Sequence, residues 1–213
     1  MLLQGAIAGA GVQPVQACNY NFGFTDAQGM VGTAAVLENV GVSAYLGAAA
    51  LISDGGILTT AGSILTVEAR HQTFIRAASG VVAVPQAFDT PLSPKQVFSL
   101  AAPFIESCPD GSNLILTAFP TLAMAEGANA AAVVAGDSVQ LQSEAAANAQ
   151  FCAFTSGGAP GGTRFTPFTQ DAGCQVPQGL AGVVYVNLAS EGPLDGVLTD
   201  EITLAGPMVM QVS

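Results

Sequence analysis

Three ionisable side chains stand at spacings that chemistry can use. Glu68 and His71 lie three residues apart in ILTTAGSILTVEARHQTFI, residues 57–75, and on a helix that spacing puts a carboxylate and an imidazole on adjacent turns of one face. A Glu-x-x-His pair of this kind ligates metal inside helical bundles. His71 is the only histidine in the chain, and Glu38 is a lone carboxylate in the apolar stretch that precedes it. Two carboxylates and one imidazole are a donor set that accepts Fe, Mn or Zn.

The elements that must position them are two helices. Ile57, Ala61, Ile64, Glu68, His71 and Ile75 step alternately by four and three residues and form one seam. Val31, Ala35, Glu38, Val42, Tyr45, Ala49 and Ile52 form a second seam between Thr25 and Ser53. Ser53-Asp54-Gly55-Gly56 reads as a turn, so the helices are expected to fold back as an antiparallel pair. Glu38 lies fourteen residues before Ile52 and Glu68 eleven after Ile57. At 1.5 Å per residue the two carboxylates differ in height by roughly 5 Å, so Glu38, Glu68 and His71 are expected to converge. An ionised carboxylate in an apolar seam costs several kcal/mol unless paired or coordinated, so the placement asks for a partner. The plain packing alternative is a hydrogen-bonded Glu–His network that steadies the core. Tyr45 has two readings as well, a donor near the ligands or an aromatic that fills the seam.

Composition excludes several partners. Half the residues are hydrophobic and only 9% are charged, with four Lys and Arg against fifteen Asp and Glu, a net charge of -11. Such a surface repels phosphate backbones and anionic lipid, so neither nucleic acid nor a membrane surface is expected as a partner. Gly, Gln, Asn or Asp interrupts each apolar run before the roughly 20 residues of a membrane span. MLLQGAIAGAGVQPVQAC can be read as a secretion signal, but it lacks Lys or Arg near its start. A helix from Leu2 to Ala10, closed by Gly9 and Gly11 and followed by Pro14, fits better.

Four cysteines allow three pairings, and none has CxxC spacing. The choice that keeps each bond within its own half is Cys18 with Cys108 and Cys152 with Cys174. Beyond His71 the helix is expected to run to Ala78 and stop at Gly80. VVAVPQAFDTPLSP is then extended, and Ser93 caps a short helix with Pro94 in its first turn. Pro109-Asp110-Gly111 is a turn, placing a domain boundary between residues 110 and 111.

From Asn113 onward the periodicity changes to two. NLILTAF, SVQLQS, QFCAFT, TRFTPF, VVYVNL, EITLA and PMVMQV are short runs bounded by turn residues. They predict an antiparallel β-sandwich of the immunoglobulin or fibronectin kind over residues 111–213. This half has no His and a single Arg, Arg164, so it offers no catalytic constellation. Gly157 to Gly162, GGAPGG, reads as a flexible hairpin tip. The fold class is therefore α+β in two domains, a helical domain over residues 1–110 and a β-sandwich.

ENVGVSAYLGAA at Glu38 to Ala49 and AGSILTVEARHQTFIR at Ala61 to Arg76 resemble the secreted fungal ferritin-like proteins that are grouped with stress-responsive and plant desiccation-related proteins. FDTPLSP, SLAAPFIESCP, VPQGLAGVVYV and TLAGPMVM extend the resemblance over nearly the whole chain. The resemblance implies a four-helix bundle with one Glu on its first and third helices and a Glu-x-x-His on its second and fourth. Glu38 would then be the third-helix ligand, and Glu68 and His71 the fourth-helix ligands, of a di-iron or di-manganese site. LLQGAIAGAGVQPVQACNYNF is similar to the family segment that follows the second helix's Glu-x-x-His, so the resemblance implies that this sequence is N-terminally truncated relative to the family, or a fragment, and carries half the family's ligands. Two copies of the Thr25 to Ala78 hairpin on a two-fold axis would supply the full set, which makes a homodimer the expected partner beside the metal ion.

Three functions follow. One is an extracellular metal-binding protein, whose chemistry, if it has any, is of the di-iron or di-manganese oxidoreductase type. The second is a secreted structural or binding protein of the cell surface or wall that keeps the fold without metal. In the third the Glu–His pair is only a core network.

Overall fold

A computed structural model describes residues 2–112, 114–130 and 133–213. The chain divides into two compact units, one of Met1–Ala83 with Pro91–Thr117 and one of Val84–Thr90 with Ala118–Ser213.

The first unit is mainly helical. Helix α1, Leu2–Gly9, stops where Gly11 takes positive φ. Strand β1, Asn19–Tyr20, leads to α2, Ala27–Ala48, and α3, Gly55–Ala78. Each long helix starts on an aspartate: Asp26 accepts from the Gly29 amide and Asp54 from the Ile57 amide, which supplies partners the first turn otherwise lacks. With Asp54 as cap, Gly55 and Gly56 belong to the helix, not to the turn expected there. The reversal is confined to a 3-10 turn at Ala49–Leu51 and the residues up to Asp54. At the far end of α3, Gly80 takes positive φ and the Arg76 side chain donates to the Val82 carbonyl at 2.8 Å.

Helix α4, Pro94–Ala101, opens on a capping box in which Ser93 and Gln96 satisfy each other's amides, with proline in the first turn as anticipated. It packs on α2, as α1 does on α3. Strand β2, Ile105–Ser107, pairs antiparallel with β1, and the Cys18–Cys108 disulfide lies beside that ladder.

The glycines and polar residues within α2 do not break it. With the 3-10 turn it forms a continuous 25-residue segment, Ala27–Leu51, within which a stretch of 18 residues has a mean hydropathy of 1.4. By length and composition alone that is enough to cross a membrane, which corrects the reading that every apolar run is interrupted too soon. Gly and Asn interrupt hydropathy along the sequence, but hydrogen bonding along the helix continues through them.

The second unit is β-rich. Its main sheet contains β6 (Phe151–Thr155), β7 (Thr163–Pro167), β9 (Gly182–Ala189) and β10 (Thr203–Val212), all antiparallel in the order β10-β9-β6-β7. Two short ladders accompany it: β3, Ala123–Met124, with β5, Leu141–Gln142, and β4, Ser138–Val139, with β8, Cys174–Gln175. EITLA and PMVMQV, read as two strands, join into β10, whereas SVQLQS divides between β4 and β5. NLILTAF shows no strand over Leu114–Phe119; Asn113, where that run begins, lies outside the described residues.

Val184, Val186 and Leu188 alternate onto one face of β9 and meet Cys152, Phe154, Val176, Met210 and Val212 in a closed core. The Cys152–Cys174 disulfide lies in that core, so both disulfides pair within their own halves. The glycine-rich β6–β7 connection is clamped instead of loose. A Cβ at Gly157 would sit 2.0 Å from the Phe88 carbonyl and one at Gly161 2.0 Å from the Asp195 carbonyl. Arg164 donates to the Gln178 carbonyl, a structural use of that cation.

Candidate metal centre

Two contacts set the register of the hairpin. Glu38 Oε1 lies 3.1 Å from His71 Nδ1, and the Glu68 carboxylate lies against the backbone of Gly41. Three residues up α2 correspond to three residues down α3, so the helices are antiparallel. The two carboxylates differ in height by three residues, about 4.5 Å, close to the offset read from the sequence. The seams meet as anticipated along most of their length: Ala61 and Val42 are buried, and Ile57, Ile64, Glu68 and Ile75 are half-buried.

The ligand end departs from a buried core. The His71 side chain is 57% exposed and that of Glu38 27%. Glu68 is deeper, and its Oε2 is shut from solvent without a hydrogen-bond partner. Burial, and secondly the Glu38 carboxylate, push its carboxyl from 4.5 up to about 7, against a lowering influence from His71. Burial raises the Tyr45 phenol too, with Glu68 adding to it. Tyr45 is therefore near enough to feel Glu68, but it does not hydrogen-bond the orphaned Oε2.

Among the described residues no three His, Cys, Asp or Glu side chains come together as a group that could hold a metal ion. Glu38 and His71 are in contact; Glu68 is coupled to both through charge and completes no triad with them.

Sequence reasoning passed over Gly41. A Cβ there would lie 2.5 Å from Glu68 Oε2 and 2.8 Å from Oε1, so only glycine leaves the carboxylate its place between the helices. Its signal is a glycine inside a long helix three residues after the lone carboxylate, and its meaning needs the register.

A capped antiparallel hairpin carrying one carboxylate on one helix and a Glu-x-x-His on the other narrows the choice of family. Residues 1–81 match the family model of the ferritin-like domain. None of the curated proteins matches the chain. The ferritin-like region thus covers α1 to α3 and contains Glu38, Gly41, Tyr45, Glu68 and His71. Its donor set suits a cation: two carboxylates and an imidazole are the ligands such bundles use, and the orphaned Glu68 oxygen is an acceptor with nothing to accept from.

Proposed function

We propose that the ferritin-like region binds Fe or Mn through Glu38, Glu68 and His71, as a secreted, stress-associated protein of the kind its resemblance implies. The observation that carries this reading is Glu68 Oε2, buried and partnerless one turn from a Glu–His pair in contact. Glu38 orients the His71 ring through Nδ1. Glu68 holds a proton near neutrality and would release it to ligate, since carboxylates bind cations in their ionised form. Bound Fe or Mn would supply redox chemistry toward oxygen or peroxide. Secretion draws support from the two disulfides, which persist in oxidising compartments. We read residues 111–213 as a sandwich-type domain whose two short ladders accompany the main sheet.

The test is thermal melting of the full chain with Fe(II) or Mn(II). A ligand at a hundred times its Kd stabilises the folded state by about 2.7 kcal/mol, and His71→Ala should abolish the shift. Gly41→Ala should abolish it too while the metal-free protein stays folded, because alanine favours a helix over glycine by about 1 kcal/mol and its methyl displaces the Glu68 carboxylate. If no divalent ion moves the melt, metal binding is refuted.

A second reading is favoured by the direct Glu38–His71 contact, which pairs those two side chains without a cation, and by the lack of a three-ligand group among the described residues. In it the chain is a structural or binding protein of the cell surface that keeps the fold without metal chemistry.

A further inference from the structure

Four stretches of the helical unit enclose an apolar pocket of about 410 Å³ that shares no residue with Glu38, Glu68 and His71. Helix α2 contributes Ala44 and Ala48, one turn apart, whose small side chains leave the space open. Phe98 of α4 faces them, and Val15, Tyr20 and Leu114 close the sides. The walls are tied together before anything binds. Cys18 is bonded to Cys108, β1 is paired with β2, and the Gln16 amide donates to the Ser112 carbonyl at 3.2 Å. A preformed concavity of this size, lined by hydrophobic side chains with a single polar group, is the usual form of a small-molecule site.

We propose that this pocket binds a neutral aliphatic molecule carrying a hydroxyl or carbonyl oxygen, a long-chain alcohol or ester. The lining sets that chemistry. No Lys, Arg, His, Asp or Glu lines the pocket, so a charged head group would lose its water and gain no partner in exchange. Tyr20 brings the one polar side-chain atom. Its hydroxyl accepts from the Cys18 amide at 3.4 Å, and a phenol that accepts one hydrogen bond keeps its own proton to donate. That proton matches an oxygen on the ligand. The apolar surface also runs on from Tyr20. Its ring centroid lies 6.0 Å from that of Phe22, which lies 6.3 Å from that of Phe24, each pair tilted by only 16°. All three rings are more than a third exposed, so a chain longer than the pocket finds further apolar surface to cover.

Displacement of the fluorescent probe N-phenylnaphthylamine from the full chain tests this, and the chain's lack of tryptophan leaves the signal unobscured. Decanol should displace the probe and bind about tenfold or more tightly than ionised decanoate, whose charge the lining cannot meet. Each methylene added between hexanol and decanol should tighten binding roughly fourfold, the worth of one buried CH₂. Ala48→Leu fills the space with a residue that suits a helix almost as well as alanine, and should abolish displaceable probe binding. Ala44→Leu repeats the test one turn earlier, and circular dichroism identifies which variant keeps its helices. Tyr20→Phe should weaken decanol roughly fivefold, the loss of one hydrogen bond, and leave the probe's own affinity unchanged. Probe and decanol held as tightly by a folded leucine variant as by the parent overturn the site. Decanoate that matches decanol overturns the assignment of a neutral head group, and so does decanol that ignores Tyr20→Phe. A chain that binds neither probe nor decanol overturns the inference outright.

Discussion

The two units solve the problem of burial differently. In the β unit Cys152, Ala153, Phe154, Val184, Tyr185, Val186 and Leu188 are wholly inaccessible, and strands pair across the centre of the sheet. In the helical unit few apolar side chains are fully buried, Val40, Val42, Ala61 and Leu92 among them, while Phe74, Val67 and Met30 lie in water. The β unit closes over its own core; the helical unit leaves one side of its hairpin unfinished, and that side carries the ionisable groups. A sparse core must then be compensated by something other than packing, and the crosslink is the available device.

The largest effect should come from that crosslink. In the chain-entropy account a bond spanning 90 residues, as Cys18–Cys108 does, stabilises by about 4–5 kcal/mol, and one spanning 22, as Cys152–Cys174 does, by about 3. Replacing Cys18 and Cys108 by Ala should melt the helical unit at ambient temperature. Replacing Cys152 and Cys174 should lower the melting temperature and leave the sheet folded. Far-ultraviolet dichroism during heating separates helix from strand. If the helices lose no more stability than the strands, the contrast in self-sufficiency is wrong.

Much of this was legible in the residues. Both long helices and the proline-led short helix after Ser93 follow from local signals, caps and periodicity that act within a few residues, whereas the two disulfide pairings follow from keeping each bond within its own half of the chain. Strand extents were less legible. Whether SVQLQS is one strand or two depends on which partners reach it, here β3 and β8, and pairing between distant segments leaves no local mark. Gly41 was invisible for a related reason. A glycine in α2 is only a weak helix former until the register brings Glu68 against it.

A smaller effect compares the orphaned polar groups. Asn187 in β9 is wholly buried with neither amide atom bonded, and Glu68 Oε2 is buried without a partner on α3. An unsatisfied buried group costs about 1–3 kcal/mol, so an apolar side chain of similar shape should raise stability at both positions. Asn187→Leu should do so without other consequence. Glu68→Leu should stabilise the metal-free chain and remove its response to Mn(II). A response to Mn(II) that survives Glu68→Leu would make Glu68 as inert as Asn187.

The smallest effect is a dependence on pH, and its sign follows from Glu68. Its carboxyl is raised from 4.5 to about 7, first by burial and then by Glu38, so the folded state holds the proton more tightly than the unfolded chain does. The stability linked to that proton is complete below about 4.5 and is lost as pH rises through 7, where folding must carry an ionised, partly buried carboxylate. The metal-free helical unit should therefore melt higher at pH 5 than at pH 8. Glu68→Gln, which keeps the shape and cannot ionise, should flatten the profile in that window. The partial exposure of the site screens the charge and keeps the effect modest. A cation would reverse the preference, because ligation needs the carboxylate ionised and its binding strengthens as the proton leaves. Melts with and without Mn(II) should then diverge as pH rises from 5 to 8; parallel profiles would mean that Glu68 does not exchange its proton for a cation.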